Sequence, residues 1–286
     1  TEFGATALGY NTNAGGANST AIGREANASG ASSTSIGKSS RAQKAGSIAI
    51  GHLAKADDER TIAIGSGSTA NKSCAMAIGW NANATATNAI AIGHTSNALG
   101  INSTAVGTSA QAEADYASSY GTLANASGIA SMAFGAQANA SETGAIAHGV
   151  NSIASGANSS TFGTEATATA EDAIAVGHLA KASGSDAIAI GKSSVASASN
   201  STAIGTDSQA SGENSTAYGD SSKATGKNSS AFGFTSTASG NDSTSIGIKS
   251  KATQQGSTAI GHLAHATAFR STALGTGSKA NAECAL

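Results

Sequence analysis

Proline is absent from this chain of 286 residues, and aromatic residues make up only 4% of it. A globular core of this size needs more large apolar side chains than such a composition supplies. Small polar residues are common in disordered linkers, so disorder is the alternative that composition alone leaves open. No run of about 18 apolar residues is present, so no segment is expected to cross a bilayer as a helix.

The chain also lacks an excess of charge of either sign. It holds 15 basic and 17 acidic residues, for a net charge of −2. This balance gives no electrostatic reason to expect nucleic acid or an anionic membrane as a partner. No signal peptide is visible at the first residue, and the chain begins and ends inside a repeat. We therefore expect it to be a segment of a longer protein.

Cysteine is scarce, and the two cysteines lie far apart. Cys74 and Cys284 occupy the same place in a repeat described below, 210 residues apart. In stacked coils that separation corresponds to roughly 70 Å. A disulfide needs Cα atoms within about 7 Å. We expect no intrachain disulfide, and these cysteines do not report the redox compartment.

What the chain does have is a strict period. Glycine recurs at every fourteenth residue from Gly9 to Gly275, twenty times in all. A short fixed period along a whole chain is the signature of a solenoid with one coil per repeat. A disordered tract has no reason to keep apolar residues in register, so the period argues against disorder. We expect residues 1–286 to form one domain of about twenty coils.

Positions within a coil are counted here from this register glycine. Position −1 is Leu, Ile, Val, Phe or Tyr in nineteen coils, and position −2 is Ala in sixteen. The four residues before the glycine, such as 19–22, therefore predict a short strand that the glycine ends. Position +5 is Ala in every coil, +3 is small, and +2 and +4 are mixed. This alternation predicts a second strand with one polar face.

The charged residues distinguish the two strands. All 32 avoid the four positions before the glycine and positions +3 and +5. The first strand is therefore uncharged on both faces, and we expect it to be buried on both. Further copies of the same chain are the natural cover, because a regular surface self-associates with closed symmetry. Simple exposure of a weakly apolar face is the alternative.

The repeat resembles a known family. Residues 200–208 read NSTAIGTDS, close to the signature NSVAIGxxS of the head repeats of YadA-type trimeric autotransporter adhesins of Gram-negative bacteria. Related segments recur at 18–23, 102–107, 214–219, 228–233 and 257–261. Within the motif we take Asn200, Ser201 and Ser208 as candidate ligand contacts.

The resemblance implies an all-β fold, a left-handed parallel β-roll, that assembles as a homotrimer with the strand before the glycine near the threefold axis. It implies display on the bacterial cell surface, outward from the outer membrane, by a stalk, neck and membrane anchor that this chain lacks. The implied partners are host extracellular matrix proteins of the collagen, fibronectin or laminin class, or a host surface receptor. Homophilic or nonspecific attachment, as in autoagglutination and biofilm, is the alternative. No cofactor is implied.

The residues at one position in successive coils form a column. Candidate ligand contacts are residues that differ in type from most of their column. Tyr10, Trp80 and Phe234 directly follow the register glycine in a mostly polar column, and exposed aromatic residues are common binding anchors. Leu53, Leu179 and Leu263 at position +2 are further candidates. For the aromatic residues the alternative is that they cap the sheet edge or cover a turn, and for the leucines it is that they are scattered surface residues without a binding role.

The histidines are considered as ion-binding or pH-sensitive residues. His148 replaces the apolar residue at position −1, where three copies in a trimer would approach one another. A buried hydrogen-bonded histidine, an ion site and a pH-sensitive element are the three interpretations. His262 and His265 share a coil and form a candidate two-histidine metal site. The histidines at position +1, namely His52, His94, His178 and His262, lie about 14 Å or more apart, too far to share a metal.

Other solenoid functions and enzyme chemistry fit less well. The sequence contains no nucleophile elbow and no HExxH motif, and its polar residues are spread along a convex surface. An ice-binding solenoid needs a regular outward threonine array, whereas the outward columns here are mixed. Hexapeptide acyltransferases have triangular coils, and a period of fourteen does not divide into sixes. We expect a binding protein without catalytic residues.

Overall fold

The computed structural model describes residues 2–285, which contain forty short β-strands and no helix. They divide into two compact units, one ending at Gly144 and the other beginning at Ala145. Each unit contains twenty strands in ten coils. Within residues 2–285 no helix is long and apolar enough to cross a membrane. The expectation that residues 1–286 form one domain stays a prediction.

In the first unit, strands of three and two residues alternate. The three-residue strands are β1 (Thr6–Leu8), β3 (Thr20–Ile22), β5 (Thr34–Ile36), β7 (Ile48–Ile50), β9 (Ile62–Ile64), β11 (Met76–Ile78), β13 (Ile90–Ile92), β15 (Thr104–Val106), β17 (Ser118–Tyr120) and β19 (Met132–Phe134). The two-residue strands are β2 (Asn13–Ala14), β4 (Asn27–Ala28), β6 (Arg41–Ala42), β8 (Lys55–Ala56), β10 (Thr69–Ala70), β12 (Asn83–Ala84), β14 (Asn97–Ala98), β16 (Gln111–Ala112), β18 (Asn125–Ala126) and β20 (Asn139–Ala140).

The second unit has the same alternation. Its three-residue strands are β21 (Ile146–His148), β23 (Ser160–Phe162), β25 (Ile174–Val176), β27 (Ile188–Ile190), β29 (Thr202–Ile204), β31 (Thr216–Tyr218), β33 (Ser230–Phe232), β35 (Thr244–Ile246), β37 (Thr258–Ile260) and β39 (Thr272–Leu274). Its two-residue strands are β22 (Ile153–Ala154), β24 (Thr167–Ala168), β26 (Lys181–Ala182), β28 (Val195–Ala196), β30 (Gln209–Ala210), β32 (Lys223–Ala224), β34 (Thr237–Ala238), β36 (Lys251–Ala252), β38 (His265–Ala266) and β40 (Lys279–Ala280).

Within each unit, each strand pairs in parallel with its equivalent one coil later. Ala21 of β3 lies opposite Ser35 of β5, and Ala28 of β4 lies opposite Ala42 of β6. Within a unit, the three-residue strands therefore form one sheet and the two-residue strands another. Residues of one sequence column stack on one another, so the predicted parallel β-roll with coils of fourteen residues is confirmed.

The interior of each coil is filled by small side chains. Alanines at positions −2 and +5, such as Ala21 and Ala28, have no exposed surface. Serines at positions −4 and +3 are also buried, and many donate a hydrogen bond to a turn carbonyl of their own coil. Ser40 Oγ donates to the Gly37 carbonyl at 2.9 Å, and Ser47 Oγ to the Lys44 carbonyl at 2.6 Å. Local bonds of this kind satisfy the turn backbone inside the coil.

Both strands are shorter than the sequence pattern suggests. The first begins at position −3 rather than −4, and the second begins at +4 rather than +2. The non-glycine residues at +2 have φ between 50° and 60°, which is the left-handed region and incompatible with a strand. The period-2 alternation at +2 and +4 therefore spans a turn and a strand, and the mixed residues at +2 are turn residues.

The register glycine is required by close stacking of the backbone. At all twenty register positions φ lies between 109° and 144°, a region that side chains strongly disfavour. A Cβ added at Gly51 would lie 2.5 Å from the carbonyl oxygen of Gly65, one coil later. A van der Waals contact needs well over 3 Å, and neither backbone can yield because the neighbouring coils are hydrogen-bonded to each other.

We expect Gly51→Ala to destabilise the protein by about 3 kcal/mol or more, since it combines backbone strain with a backbone clash. Gly46→Ala is the matched control. Gly46 has φ 67°, a Cβ there would meet nothing nearer than 3.8 Å, and Ala130 already adopts this geometry at the equivalent place. It should cost about 1 kcal/mol. Urea unfolding followed by circular dichroism measures both, and equal losses would contradict the stacking argument.

Candidate functional site

The outer face of the three-residue strands is uncharged in both units, with apolar residues along position −1 except at His148 and a mixture of Ile, Met, Thr and Ser at position −3. We call it the outer ladder, formed by the first and third residues of each of these strands, at positions −3 and −1. Its side chains point away from the buried alanines, and in a single chain they are half-buried or exposed. Ile190 is 38% exposed and Tyr218 is 54% exposed. One face of the uncharged strand is thus inside the coil, while the other is left open by residues 2–285 of a single chain.

Aromatic residues on the outer ladder stack along it. The rings of Tyr120 and Phe134 are parallel, with centroids 5.0 Å apart. His148 is exposed in the single chain, and its ring lies tilted against Phe162 at 5.8 Å. The interpretation of His148 as a buried histidine concerns the trimer, where this face would be covered, and it stays a prediction. The ion-site and pH interpretations stay predictions.

The predicted aromatic anchors lie at the turn after the register glycine. Tyr10 is 76% exposed, Trp80 50% and Phe234 48%. Trp80 stacks on His94 of the next coil, with ring centroids 4.6 Å apart and ring planes within 15°. The sequence analysis did not pair these two residues, although their spacing of fourteen in one column is the signal. Tyr10 is five coils from Trp80, about 24 Å, so these two do not form one site.

The three predicted leucines also lie at the turn. Leu53 and Leu263 are exposed, Leu179 is half-buried, and all three have positive φ. Leu263 lines a shallow depression of about 340 Å³ together with Thr235, Lys249, Lys251 and His265. The structure thus places one of the three leucines beside Lys249 and Lys251, which the sequence analysis did not single out.

Two of the three candidates in the NSTAIGTDS motif are wrong as ligand contacts. Ser201 and Ser208 have no exposed surface. Ser201 Oγ donates to the Ala198 carbonyl at 2.6 Å, and Ser208 Oγ donates to the Gly205 carbonyl at 2.8 Å. Both hydroxyls are internal because their positions, −4 and +3, face the coil interior. Asn200 is exposed, with φ 55°, so its contact role stays a prediction.

The motif is therefore a description of one coil rather than of a binding site. Asparagine at its start tolerates the left-handed turn, and the serine that follows is a small side chain that fits the coil interior, where it satisfies a turn carbonyl in some coils, as at Ser201. Alanine fills the interior and isoleucine stands on the outer ladder. The glycine permits the close stack described above. Ligand specificity has to come from positions that the motif leaves variable.

One cross-coil ion pair lies beside the two-residue strands of the first unit. Arg41 on β6 donates two hydrogen bonds to Asp57, at 2.8 and 2.6 Å. These bonds raise the pKa of Arg41, which burial partly opposes. Because Arg41 is always charged, the pair acts as a fixed bidentate clip between neighbouring coils.

The described residues hold no cluster of three or more His, Cys, Asp or Glu side chains that could bind a metal. The two-histidine site at His262 and His265 is not tested by this finding and stays a prediction. Cys74 and Cys284 are both free and exposed.

Comparison with known families agrees with the coil geometry. The YadA head domain repeat matches the chain at residues 1–26, 14–40, 28–54, 42–68, 75–96, 98–124, 126–148, 147–169, 168–194, 196–222, 224–250, 238–264 and 266–283. The chain belongs to the YadA head domain repeat family. No curated protein matches the sequence.

Among solved structures, the crystal structure of the collagen-binding domain of the Yersinia adhesin YadA is similar to this chain. Identity is 23%, over 73% of this chain and 70% of that one, with a TM-score of 0.18. Membership of the YadA head family by itself supports an adhesin-type role.

The correction at Ser201 can be tested with a neighbour from the same column. Ser201→Ala should lower the free energy of unfolding by about 1 kcal/mol, because it removes a buried hydrogen bond. Ser215, one coil later, is buried without a hydrogen-bond partner, so Ser215→Ala should be close to neutral. Urea unfolding compares the two variants. A Ser201→Ala variant with native stability and weakened ligand binding would restore Ser201 as a contact residue.

Proposed function

We propose that this protein is the head of a bacterial surface adhesin that attaches the cell to host extracellular matrix or host cell-surface molecules. The observation that carries the proposal is the YadA head repeat, matched in register along the chain. The protein is displayed outward from the outer membrane of a Gram-negative bacterium. Matrix proteins of the collagen, fibronectin or laminin class are its partners.

The active form is a homotrimer in which the outer ladder is the interface. A face that carries no charge and presents an apolar side chain at position −1 in nineteen of twenty coils is too extensive to be left in water. A second and third copy of the chain offer the same face with the same spacing. A closed symmetric assembly therefore covers all of these faces with one type of contact. The number three comes from the family resemblance, and the apolar face supplies the physical reason to associate.

Attachment is multivalent. In a trimer the turns after the register glycine lie away from the interface, and each exposed residue there occurs three times. Trp80, stacked on His94, is the strongest contact candidate, because a rigid half-exposed indole buries much area at little entropic cost. Several weak contacts along the coils then combine into an avidity well above the affinity of one site.

Homophilic or nonspecific attachment is the second candidate. Apolar turn residues outside the outer ladder favour it, since Leu123, Val150 and Ile248 are about half exposed. Such residues on the lateral surface of neighbouring heads would join cells to each other or to abiotic surfaces without a host receptor.

The interface is tested by placing charge on the outer ladder. Ile64 and Ile78 face each other at position −1 on β9 and β11. We expect the native protein to sediment with three times the mass of one chain, and Ile64→Asp/Ile78→Asp with the mass of one, because buried unpaired carboxylates oppose association. Thr69→Asp/Asn83→Asp changes the outward face of β10 and β12 in the same coils and should stay trimeric. A monomeric native protein, or a trimeric ladder variant, would contradict the proposed interface.

The attachment function is tested by surface plasmon resonance on immobilised collagen, fibronectin and laminin. Trp80→Ala should weaken binding to the recognised protein by about 30-fold, the usual loss at an aromatic anchor. Tyr116→Ala is the control, since Tyr116 is exposed on the turn before the longer strand. Absence of binding to every matrix protein, together with self-aggregation in light scattering, would replace host attachment with the homophilic function.

A further inference from the structure

The net charge of −2 conceals a segregation of charge along the chain. Residues 1–220 contain nine basic and fifteen acidic residues, for a net charge of −6. Residues 221–286 contain six basic and two acidic residues, for a net charge of +4. The last coils of the second unit are therefore basic, although the net charge of the whole chain is slightly negative.

Four cationic or titratable side chains of this segment share one row of the sheet. Lys223, Lys251, His265 and Lys279 all occupy position +4, on β32, β36, β38 and β40, with Thr237 of β34 between the first two. The alanine after each of them is buried, so the row faces outward. Successive lysines lie two strands apart, or about 10 Å. The three lysines are exposed.

Lys249 lies beside this row, in the turn that precedes β36. Lys249, Lys251 and His265 line the depression of about 340 Å³ that Thr235 and Leu263 complete, and no carboxylate lines it. Within the described part of the chain, none of the four lysines forms an ion pair. By contrast, Lys227 on the opposite turn is paired with Glu213 at 2.9 Å.

The two acidic residues of the segment, Asp242 and Glu283, lie outside the strands that carry the row. Asp242 accepts a hydrogen bond from Asn228 in the turn before the longer strand. Asp220, just before the segment, accepts one from Ser221 at 2.6 Å. The row of cations therefore faces solvent without a neutralising partner in its own sheet.

We propose that the surface formed by Lys223, Lys249, Lys251, His265 and Lys279, which we call the basic face, binds a linear polysaccharide that carries sulfate groups. Ammonium groups act as compact charges that contact sulfate oxygens from many directions, so they suit an anion on a flexible saccharide. A row of cations at regular spacing matches a polymer whose anionic groups also recur regularly. The depression beside Leu263 accommodates the less polar face of one sugar ring.

Nucleic acid and anionic membranes fit the basic face less well. Single strands are bound through aromatic stacking platforms, and base edges are read mainly by arginine and amide side chains, none of which belongs to this face. Membrane-binding clusters usually accompany an amphipathic or transmembrane helix, which the described residues lack. The inference rests on the proposed attachment function, because sulfated polysaccharides are matrix and cell-surface components.

The test uses size-defined heparin oligosaccharides and isothermal titration calorimetry at several salt concentrations. Lys223→Gln/Lys251→Gln/Lys279→Gln should bind about 10-fold more weakly than the native protein, from the loss of three exposed charge contacts. The dependence of log K on log salt concentration should also flatten by about one unit per lost contact, as in nucleic-acid binding.

Lys55→Gln/Lys181→Gln/Lys192→Gln is the matched control. It removes the same number of charges, and Lys55 and Lys181 occupy the same position +4 on other coils. This variant should bind heparin like the native protein. Equal losses in the two variants, or no binding of heparin by the native protein, would overturn the proposal.

Three further probes identify the ligand chemistry. Hyaluronan carries carboxylates but no sulfate and should bind at least about 10-fold more weakly than heparin, in proportion to lost charge contacts. If duplex DNA or phosphatidylserine vesicles bound more tightly than heparin through the same lysines, nucleic acid or an anionic membrane would replace the sulfated polysaccharide as the ligand.

The lysine variant should keep its binding to the matrix-protein panel. If the native protein bound heparin but none of the matrix proteins, that result would count against the attachment function alone.

Discussion

The close stack of register glycines is the constraint on which the structure depends. At this point the backbone turns with a φ that side chains strongly disfavour, and the carbonyl of the next coil occupies the space that a Cβ would need. Any other residue would push two hydrogen-bonded coils apart. The stack therefore fixes where each coil turns, and the coil length of fourteen follows from it.

Once the coils are locked in register, every column has a fixed environment. Positions −4, −2, +3 and +5 face a narrow interior, so only alanine, serine and threonine fit there. Serine fits inside because it is small, and in part of the coils, as at Ser201 and Ser208, its hydroxyl also donates to a carbonyl of its own turn. Contacts run between neighbouring coils of a unit, so the scaffold can vary its outer positions without losing the fold.

The outward positions then separate into surfaces with different chemistry. The outer ladder is uncharged throughout and apolar at position −1 in all coils but that of His148, which suits association with identical copies. The turns and the two-residue strands are variable, and there a stacked indole, single leucines and a row of lysines stand at spacings that the coil height sets. Because equivalent strands are spaced regularly, the order of residues in one column translates directly into a linear pattern on the surface. A polymer with its own repeat is a natural ligand for such a pattern.

The sequence by itself determined the period, the two parallel sheets, the interior columns and the family, because periodic burial leaves a direct trace in residue type. Only the tertiary structure decided where side chains at the turns point. Position +2 adopts a left-handed turn, so Leu53 is a turn residue rather than a strand residue. Ser201 lies inside its coil, and Trp80 rests on His94. Periodicity identifies which residues share a column, but the direction of a side chain depends on local φ and on packing between coils, which the pattern does not encode.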